Sequence, residues 1–477
     1  MRAVLNRIIA GLLLAGTASA QTVRRPQPQD VLVPDWIEAG PMIGHVGPDR
    51  AHVWVRFAKG LDFVARGTLD RSAGLQTVKP KIRKLGERVR LLVFKDLPAD
   101  TPLVVQICEG AHFNRGIGLA LRTAPNPAST GRVRIAFGSG CNDVLFPKTS
   151  VFAAVAQERP DLFLFVGDST YYVREFFVAS NQFDKKGRPK APELRIDTAT
   201  GDGDWENSDR MFARQLQTRL SPWLQPLLRT VPCYAVWDDH DFGTRHADRS
   251  FTGRKRSLRV FQRMWANRSY GVKGTKGCFS SFRRGPVEVF LMDGRYHRFV
   301  RSVANPGVLP PDATIWGREQ FRWLCEGLRR STAPVKLIVN GTQFLYQGKE
   351  PVGHFQLARR EYEELLDYLD RQAIGGVVFL TGDRSHSELM TLRRDKRLLL
   401  EFTSSPLAGG RKIGAFAAKT QPTTEWMLRG DSFGLVTIDI PAVGKGTITC
   451  EVRDKNNRVP VIVGRRYRSS WPLSALR

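Results

Sequence analysis

The chain has 477 residues, enough for about two or three domains, and a hydrophobic content of 42% that predicts a sizeable buried core. Its 73 Lys and Arg residues against 46 Asp and Glu residues give a net charge of +27, a field that attracts polyanions and phosphorylated substrates. The basic residues are spread along the chain. Zinc-finger spacing and an aromatic-and-basic RNA motif are both absent, so composition does not favour those two classes.

The N-terminus has the pattern of a cleavable signal peptide covering residues 1–20. Arg2 and Arg7 supply the positive region, residues 8–15 supply a short apolar core, and Ala18-Ser19-Ala20 matches a cleavage site. The apolar core is too short to anchor the protein stably in a membrane. We therefore expect a secreted or periplasmic protein whose mature chain begins at Gln21.

A Pro- and Gln-rich linker, residues 21–36, precedes a predicted all-β domain at residues 37–125. This stretch contains short segments with the pattern of β-strands, separated by turn residues, as in an immunoglobulin- or fibronectin-like sandwich. We expect its histidines to be ordinary core or surface residues. The predicted strands cover residues 51–57, 63–69, 89–94 and 103–107.

Residues 131–455 show a different sequence pattern, in which apolar runs alternate with helical segments. We expect residues 456–477 to form a basic C-terminal tail. Near-continuous apolar runs are typical of strands buried on both faces, so this part is predicted to be an α/β domain. A helix is predicted over residues 357–372. The strands are predicted at 133–137, 161–166, 233–236, 287–292, 335–339 and 376–380.

Four of these strands end in side chains that can bind a metal ion or a phosphate group. The first ends near Cys141, the second in Asp168, the third in Asp239 and His240, and the last in Asp383. Ligands bind at the carboxyl ends of strands in open α/β sheets, so we expect one shared metal site there. Clustered carboxylates are unfavourable without a neutralising cation. Cys141 could instead be a buried thiol or a disulfide partner.

Taken with their order, these motifs resemble those of the PhoD-like alkaline phosphatases and phosphodiesterases of the metallophosphoesterase superfamily. The resemblance rests on SGCN at 139–142, GDSTY at 167–171, WDDHD at 237–241 and GDRSH at 382–386. It covers nearly the whole mature chain. It implies an αββα sandwich for residues 131–455 and a secreted phosphoric ester hydrolase that acts as a phosphomonoesterase, a phosphodiesterase or both.

The resemblance also implies a dinuclear centre of Fe³⁺ and Ca²⁺. Asp168 would bridge the metal ions, Cys141 and Tyr171 would bind iron, and Asp239 and Asp383 would complete the ligand set. Thiolate and phenolate ligands suit ferric iron, and carboxylates suit calcium, so the residue types agree with these ions. A zinc hydrolase is disfavoured because the chain lacks a His-rich ligand set.

Three further residues are candidates for catalysis. His240 would lie beside the scissile phosphate, where it could protonate the leaving oxygen or stabilise the charged phosphate oxygens. Arg384 would neutralise a phosphate oxygen, because a guanidinium matches phosphate geometry. His386 departs from the family pattern by one position, since Ser385 occupies the place where the family often has His. It would face the site or support it from behind.

The substrate is predicted only as a phosphate ester, and a polymeric one, such as a nucleic acid or a polyol phosphate, would suit the basic surface. A polar insertion at 174–211 follows the second strand of the α/β domain and is a candidate lid or specificity element. The alternative function is a non-catalytic protein that binds polyanions on the same fold. The oligomeric state stays open.

Overall fold

The structure is a computed structural model. It describes residues 33–477 apart from 72–73, 111–115, 144, 147–150, 173–174, 179–192, 197–203, 301–308, 349–353, 411, 416–422 and 463. The predicted signal peptide and most of the 174–211 insertion lie outside the described residues. In the part that is described, no helix has both the length and the apolar character needed to cross a membrane.

Residues 37–122 form two four-stranded antiparallel sheets that enclose an apolar core. One sheet has the order β1-β2-β6-β5 and the other β4-β3-β7-β8. Their inner faces share one cluster of buried side chains, which includes Val53, Phe94 and Leu103. The strands are Ile37–Val46 (β1), Ala51–Phe57 (β2), Phe63–Arg71 (β3), Gly74–Val78 (β4), Lys81–Lys84 (β5), Val89–Phe94 (β6), Pro102–Glu109 (β7) and Gly116–Arg122 (β8).

These sheets pack closely on the rest of the chain. The indole of Trp54 donates a hydrogen bond to the carbonyl of Arg263 over 2.8 Å, and the amide of His45 donates to the carbonyl of Ala266 over 2.8 Å. Both partners come from the α/β part of the chain. The boundary predicted near residue 125 therefore separates regions that share buried contacts.

Two buried histidines lie at this junction. His45 hydrogen bonds with the Tyr234 hydroxyl over 3.1 Å, His52 with the Asn267 carbonyl over 3.2 Å, and their ring centroids are 5.3 Å apart. Burial, together with the charge of His52 and nearby arginines, lowers the pKa of His45 well below its usual value. Burial lowers the pKa of His52 to about 4. Both rings are therefore neutral in the folded protein near pH 6.

We expect the protein to lose stability as the pH falls from about 6.5 to about 4. In that window the unfolded chain binds protons at His45 and His52 while the folded protein does not, so protonation favours unfolding. His52 alone contributes about 2–4 kcal/mol to this loss. Thermal unfolding of wild type and His52→Gln between pH 4 and 8 checks it. The variant should show a weaker acid dependence, whereas His297→Gln, at a partly exposed histidine, should not.

The first sheet of the α/β part has six strands in the order β13-β10-β9-β22-β23-β26. Strands β9, β10 and β13 are parallel, so their carboxyl ends meet at one edge. The strands are Gly131–Gly138 (β9), Leu162–Val166 (β10), Cys233–Val236 (β13), Phe433–Ile440 (β22), Thr447–Arg453 (β23) and Arg468–Pro472 (β26).

The C-terminal segment does not form the basic tail that we expected for residues 456–477. Its strand β26 pairs antiparallel with β23 at the edge of the first sheet, and Tyr467, Leu473 and Leu476 are buried in the core. The many arginines of this segment obscured its apolar residues, which are too widely spaced to read as a continuous strand. The α/β part therefore extends past residue 455 almost to the end of the chain.

The second sheet has eight strands in the order β14-β15-β16-β17-β19-β18-β21-β20. Strands β15, β16, β17 and β19 are parallel neighbours. The strands are Ser280–Arg284 (β14), Val287–Leu291 (β15), Val335–Asn340 (β16), Val377–Thr381 (β17), Ser387–Arg394 (β18), Arg397–Thr403 (β19), Gly414–Ala415 (β20) and Thr424–Arg429 (β21).

The two large sheets face each other, with helices on their outer sides. Phe137 of β9 and Phe402 of β19 meet edge to face across the shared core, with ring centroids 4.9 Å apart. A second apolar cluster lies between the eight-stranded sheet and two helices. The helices are Val151–Glu158 (α1), Ser208–Arg219 (α2), Gln225–Thr230 (α3), Asp239–Phe242 (α4), Arg254–Met264 (α5), Arg318–Arg330 (α6) and Arg359–Arg371 (α7), of which α6 and α7 cover that sheet.

Four short strands lie outside these sheets. Glu175–Val178 (β11) and Glu193–Ile196 (β12) pair antiparallel within the insertion, and Val461–Ile462 (β24) pairs with Arg465–Arg466 (β25). All six cysteines are buried, and none of them forms a disulfide.

Candidate metal centre and active site

Three acidic segments converge where the two large sheets meet. Asp168 follows β10, Asp238 and Asp239 follow β13, and Asp383 follows β17. Strands β10 and β13 are parallel neighbours, so their carboxyl ends are adjacent, as the sequence predicted. Asp383 arrives from the other sheet. The site therefore needs both sheets.

Two glycines allow the sheets to approach this closely. A Cβ atom at Gly382 would lie 2.5 Å from the Val166 carbonyl oxygen and from the Ser139 hydroxyl. A Cβ atom at Gly341 would lie 2.8 Å from the side chain of Asp238. Larger residues at these positions would push the carboxylate-bearing loops apart.

Asp168 and Asp383 have left-handed backbone conformations, with φ of 50° and 70°. Such conformations are uncommon for residues other than glycine, although Asp and Asn tolerate them best. Backbone strain of this kind is found mainly at functional sites, where the surrounding structure maintains it. Here it turns two carboxylates toward a common point.

Four carboxylates form one buried cluster at that point. One oxygen from each of Asp168, Asp238, Asp239 and Asp383 lies within 4.8 Å of the others. Burial, followed by the charges of Asp239 and Asp238, raises the pKa of Asp168 well above its usual value. Burial and the same two neighbours raise the pKa of Asp383 to about 7. A cation bound between these groups would relieve their mutual repulsion.

Arg295, which follows β15, supplies positive charge to the cluster. Its Nε lies 2.6 Å from Asp238 Oδ1, and its Nη2 lies 3.9 Å from Asp239 Oδ1. Burial tends to raise the pKa of Asp239, but Arg295, His240 and a hydrogen bond from the His246 amide outweigh it and lower that pKa. The sequence did not assign a role to Asp238 or Arg295. The position of Arg295 after a strand was the only signal that it could reach the site.

His240 lies beside the carboxylates, and one of its ring nitrogens is within the same 4.8 Å of Asp168 and Asp239 oxygens. Its backbone amide donates to Asp168 Oδ1 over 3.2 Å. The Tyr171 ring stacks on the imidazole, with centroids 4.1 Å apart and planes inclined by 26°. This stacking places Tyr171 beside the carboxylate cluster. Its neighbour Tyr172 is buried and accepts a hydrogen bond from Gln215.

Asp241, the last carboxylate of the WDDHD motif, has a structural role. It accepts hydrogen bonds from the amide and hydroxyl of Ser169, over 2.9 and 2.8 Å, and from the amide of Asp238 over 2.7 Å. Burial raises its pKa to about 7. These hydrogen bonds connect the loop after β10 to the loop after β13, and they keep Asp168 and Asp239 close to each other.

Cys141 lies next to the centre through its backbone. Its amide donates to the Asp168 carbonyl over 2.8 Å, while its thiol belongs to neither group of clustered ligand atoms among the described residues. Burial and the nearby Asp143 carboxylate raise the pKa of the Cys141 thiol well above its usual value. Cys141 is also free of any disulfide, so the disulfide alternative is not realised.

Arg384 and His386 follow Asp383 but point to different partners. The Arg384 guanidinium lies over the Tyr346 ring, 4.9 Å from its centroid. His386 is buried, and its Nε2 lies 3.2 Å from Glu388 Oε2. His386 is not a member of either group of clustered ligand atoms in the described part of the chain. This geometry places His386 behind the carboxylates, on the supporting network of Glu388.

Several atoms of the centre have no hydrogen-bond partner among the described residues. These atoms are Asp238 Oδ2, Asp239 Oδ1 and His240 Nδ1, all buried. Unpaired buried polar atoms are costly, and native proteins retain few of them. Two carboxylate oxygens and an imidazole nitrogen match the ligands of a hard or borderline metal ion. The residues present therefore fit a metal centre.

Comparison with solved structures shows a metallophosphoesterase-like fold. The structure of PhoD matches with a TM-score of 0.65 and 16% identity, covering 92% of each chain. The purple acid phosphatase PPD1 from yellow lupin seeds matches with a TM-score of 0.58 and 11% identity, covering 90% of this chain and 73% of that one. No curated protein matched the chain in sequence.

The family assignment rests on a separate comparison. A sequence model described as PhoD-like phosphatase matches residues 135–458, the stretch that contains every residue of the centre. The match covers more than half of the chain, and it confirms the resemblance seen in the motifs. The chain therefore belongs to the PhoD-like phosphatase family.

Proposed function

We propose that the protein is an exported, metal-dependent hydrolase of phosphate monoesters or diesters. Phosphoric ester hydrolysis follows from membership of the phosphatase family. The observation that carries the metal dependence is the buried cluster of Asp168, Asp238, Asp239 and Asp383. Export is part of the proposal because residues 1–20 have the pattern of a signal peptide.

The cluster suits two cations better than one. Two groups of clustered ligand atoms share Asp168 and Asp239, and their four carboxylates carry more negative charge than one divalent cation neutralises. We propose that these cations are Fe³⁺ and Ca²⁺, which Cys141, Asp168, Tyr171, Asp239 and Asp383 would hold. Lewis-acid stabilisation of the phosphoryl oxygens is the chemistry that such ions supply when bound.

The side chains around the cluster perform the remaining tasks. His240 is held by its stacked neighbour Tyr171 and can protonate the leaving oxygen. Arg384, lying over Tyr346, can pair with a phosphate oxygen that does not touch the cluster. His386, paired with Glu388, orients the loop that carries Asp383 and Arg384. Burial of the cluster strengthens each of these electrostatic contacts.

Removal of metal ions from the purified protein should abolish hydrolysis of both p-nitrophenyl phosphate and bis-p-nitrophenyl phosphate. We expect at least about a 100-fold loss of kcat, because the centre would lose its Lewis acids. Elemental analysis before and after chelation gives the metal content, and addition of iron and calcium should restore it together with turnover. The better of the two substrates then decides between monoesterase and diesterase.

His240→Gln serves as the matched variant in this experiment. It should retain the metal content and lose roughly 100-fold or more in kcat, as expected for removal of an acid–base group. Loss of metal together with turnover would make His240 a metal ligand instead. A protein that stays inactive with iron and calcium restored would contradict the enzyme proposal and favour the polyanion-binding alternative.

A further inference from the structure

A basic pocket lies on the opposite side of the loop that carries Arg295. We call it the Lys255 pocket. It encloses about 270 Å³ and is lined by Lys255 and Arg259 of α5, by Lys276, and by the rings of Tyr270 and Tyr296. Lys255 and Arg259 are one helical turn apart on the same exposed face, so both ammonium and guanidinium groups can reach the pocket.

The cations of the Lys255 pocket are not neutralised. None of the described residues that line it is an Asp or a Glu, and none of its three cations has an ion pair among the described residues. In a larger cavity of about 440 Å³, by contrast, the cations have carboxylate partners. Arg283 lies close to Glu288, and Arg330 lies close to Glu326. Three unpaired cations around a concave, aromatic-walled space are an arrangement that attracts phosphate oxygens.

The walls of the pocket are rigid. Val272 and Thr275 exchange two backbone hydrogen bonds of 3.0 Å, which close a tight turn just before Lys276. On the other side, the Tyr270 hydroxyl donates to the Trp265 carbonyl over 2.6 Å. Arg254 lies over the Tyr296 ring, 5.3 Å from its centroid, and adds a fourth positive charge nearby. The cations are therefore presented by ordered structure.

The pocket and the metal centre share one loop. Tyr296 lines the pocket, and the preceding residue, Arg295, contacts Asp238 of the carboxylate cluster. Asp293 fixes this loop by accepting hydrogen bonds from the Trp237 indole over 2.7 Å and from the Tyr296 amide over 2.9 Å. Pocket and centre thus lie on two sides of one short segment.

We propose that the Lys255 pocket binds a phosphate group that the substrate carries outside its scissile ester. This assignment rests on the proposed function and extends it, because it makes substrates with several phosphates the preferred class. A substrate with one phosphate engages the metal centre alone. A chain of phosphodiesters engages both, and the second contact raises its affinity without taking part in the chemistry.

The test compares Lys255→Ala/Lys276→Ala with Lys396→Ala/Lys445→Ala in the metal-loaded protein. Both double variants remove two exposed lysines and so lower the net charge equally. The probe is a fluorescent single-stranded DNA of about ten nucleotides with a phosphorothioate backbone that resists hydrolysis. The pocket variant should bind it about tenfold more weakly, with a salt slope smaller by about 1.4, as expected for two lost contacts. The control should match wild type.

Two further measurements complete the test. Hydrolysis of p-nitrophenyl phosphate should stay within about twofold of wild type in the pocket variant, because this substrate has a single phosphate. An abasic strand of equal length should show the same loss of affinity as the DNA. Equal losses in both double variants, or a loss confined to the strand with bases, would overturn the proposal. Intact binding by a protein that hydrolyses nothing would overturn the proposed function instead.

Discussion

Asp168→Asn is expected to abolish hydrolysis while leaving the metal-free protein at least as stable as wild type. Together with that of Asp239, this carboxylate belongs to both groups of clustered ligand atoms, so its loss should lower kcat by about 10³-fold or more. Burial and neighbouring charges hold the pKa of Asp168 high, which means that its ionised form destabilises the metal-free fold. Neutral Asn removes that repulsion.

Asp168→Asn removes the charge of the side chain while nearly preserving its shape. Asn tolerates the left-handed φ of 50° about as well as Asp, and its amide oxygen can still accept the hydrogen bond from the His240 amide. In chelator, the midpoint temperature of unfolding should therefore rise by about 1–3 °C. Metal binding should raise the midpoint of the wild type, and it should do so far less for the variant.

Asp454→Asn is the control for this prediction. Asp454 accepts backbone hydrogen bonds from Asn456 and Arg458 in a surface turn, and Asn can accept them as well. Its activity and unfolding temperature should equal those of wild type. A metal-free Asp168→Asn protein that unfolds several degrees below wild type would show that the carboxylate cluster is not under electrostatic strain.

Arg295→Met is expected to cause a large loss of stability. The guanidinium is the buried partner of Asp238 at 2.6 Å, and its removal leaves a buried carboxylate without compensation. Breaking a buried ion pair from one side costs about 3–5 kcal/mol. In metal-free protein the loss should be near the upper end, and bound cations should reduce it by neutralising the same carboxylates.

Asp238→Asn/Arg295→Met separates the charge effect from packing. The double variant removes both charges and should recover more than half of the stability lost in Arg295→Met, as measured by chemical unfolding in chelator. Arg122→Met is the matched control, since Arg122 meets Asp100 at 2.7 Å with both side chains about half exposed or more, and surface pairs contribute about 1 kcal/mol or less. A double variant no more stable than Arg295→Met would assign the loss to packing.

The local sequence pattern was sufficient to predict much of the fold and part of the metal centre. Continuous apolar runs predicted β9, β10, β13, β15, β16 and β17 to within two residues, because strands buried on both faces need such runs. The periodic stripe of Leu365, Leu366 and Leu369 predicted helix α7. The positions of Asp168 and Asp239 at strand ends indicated that they would meet, because neighbouring parallel strands end at one edge. Asp383 was expected at the same site, but it follows a strand of the other sheet.

Other features depended on pairings that the local sequence does not encode. The C-terminal segment was expected to be a tail, yet it becomes strand β26 because the exposed edge of β23 is available to it. His386 follows Asp383 by three residues, but the turn and the start of β18 direct its ring toward Glu388. Both outcomes depend on partners that are distant in sequence or on backbone direction.

The sequence by itself determined which residue types reach the carboxyl ends of the strands, because apolar runs and the polar groups that follow them are local properties. Only the tertiary structure decided that Arg295 lies on Asp238 and that both sheets contribute to one cluster. The physical reason is that charge compensation in a buried site depends on distances of a few ångströms between segments far apart in the chain. Such distances arise only when the two sheets pack.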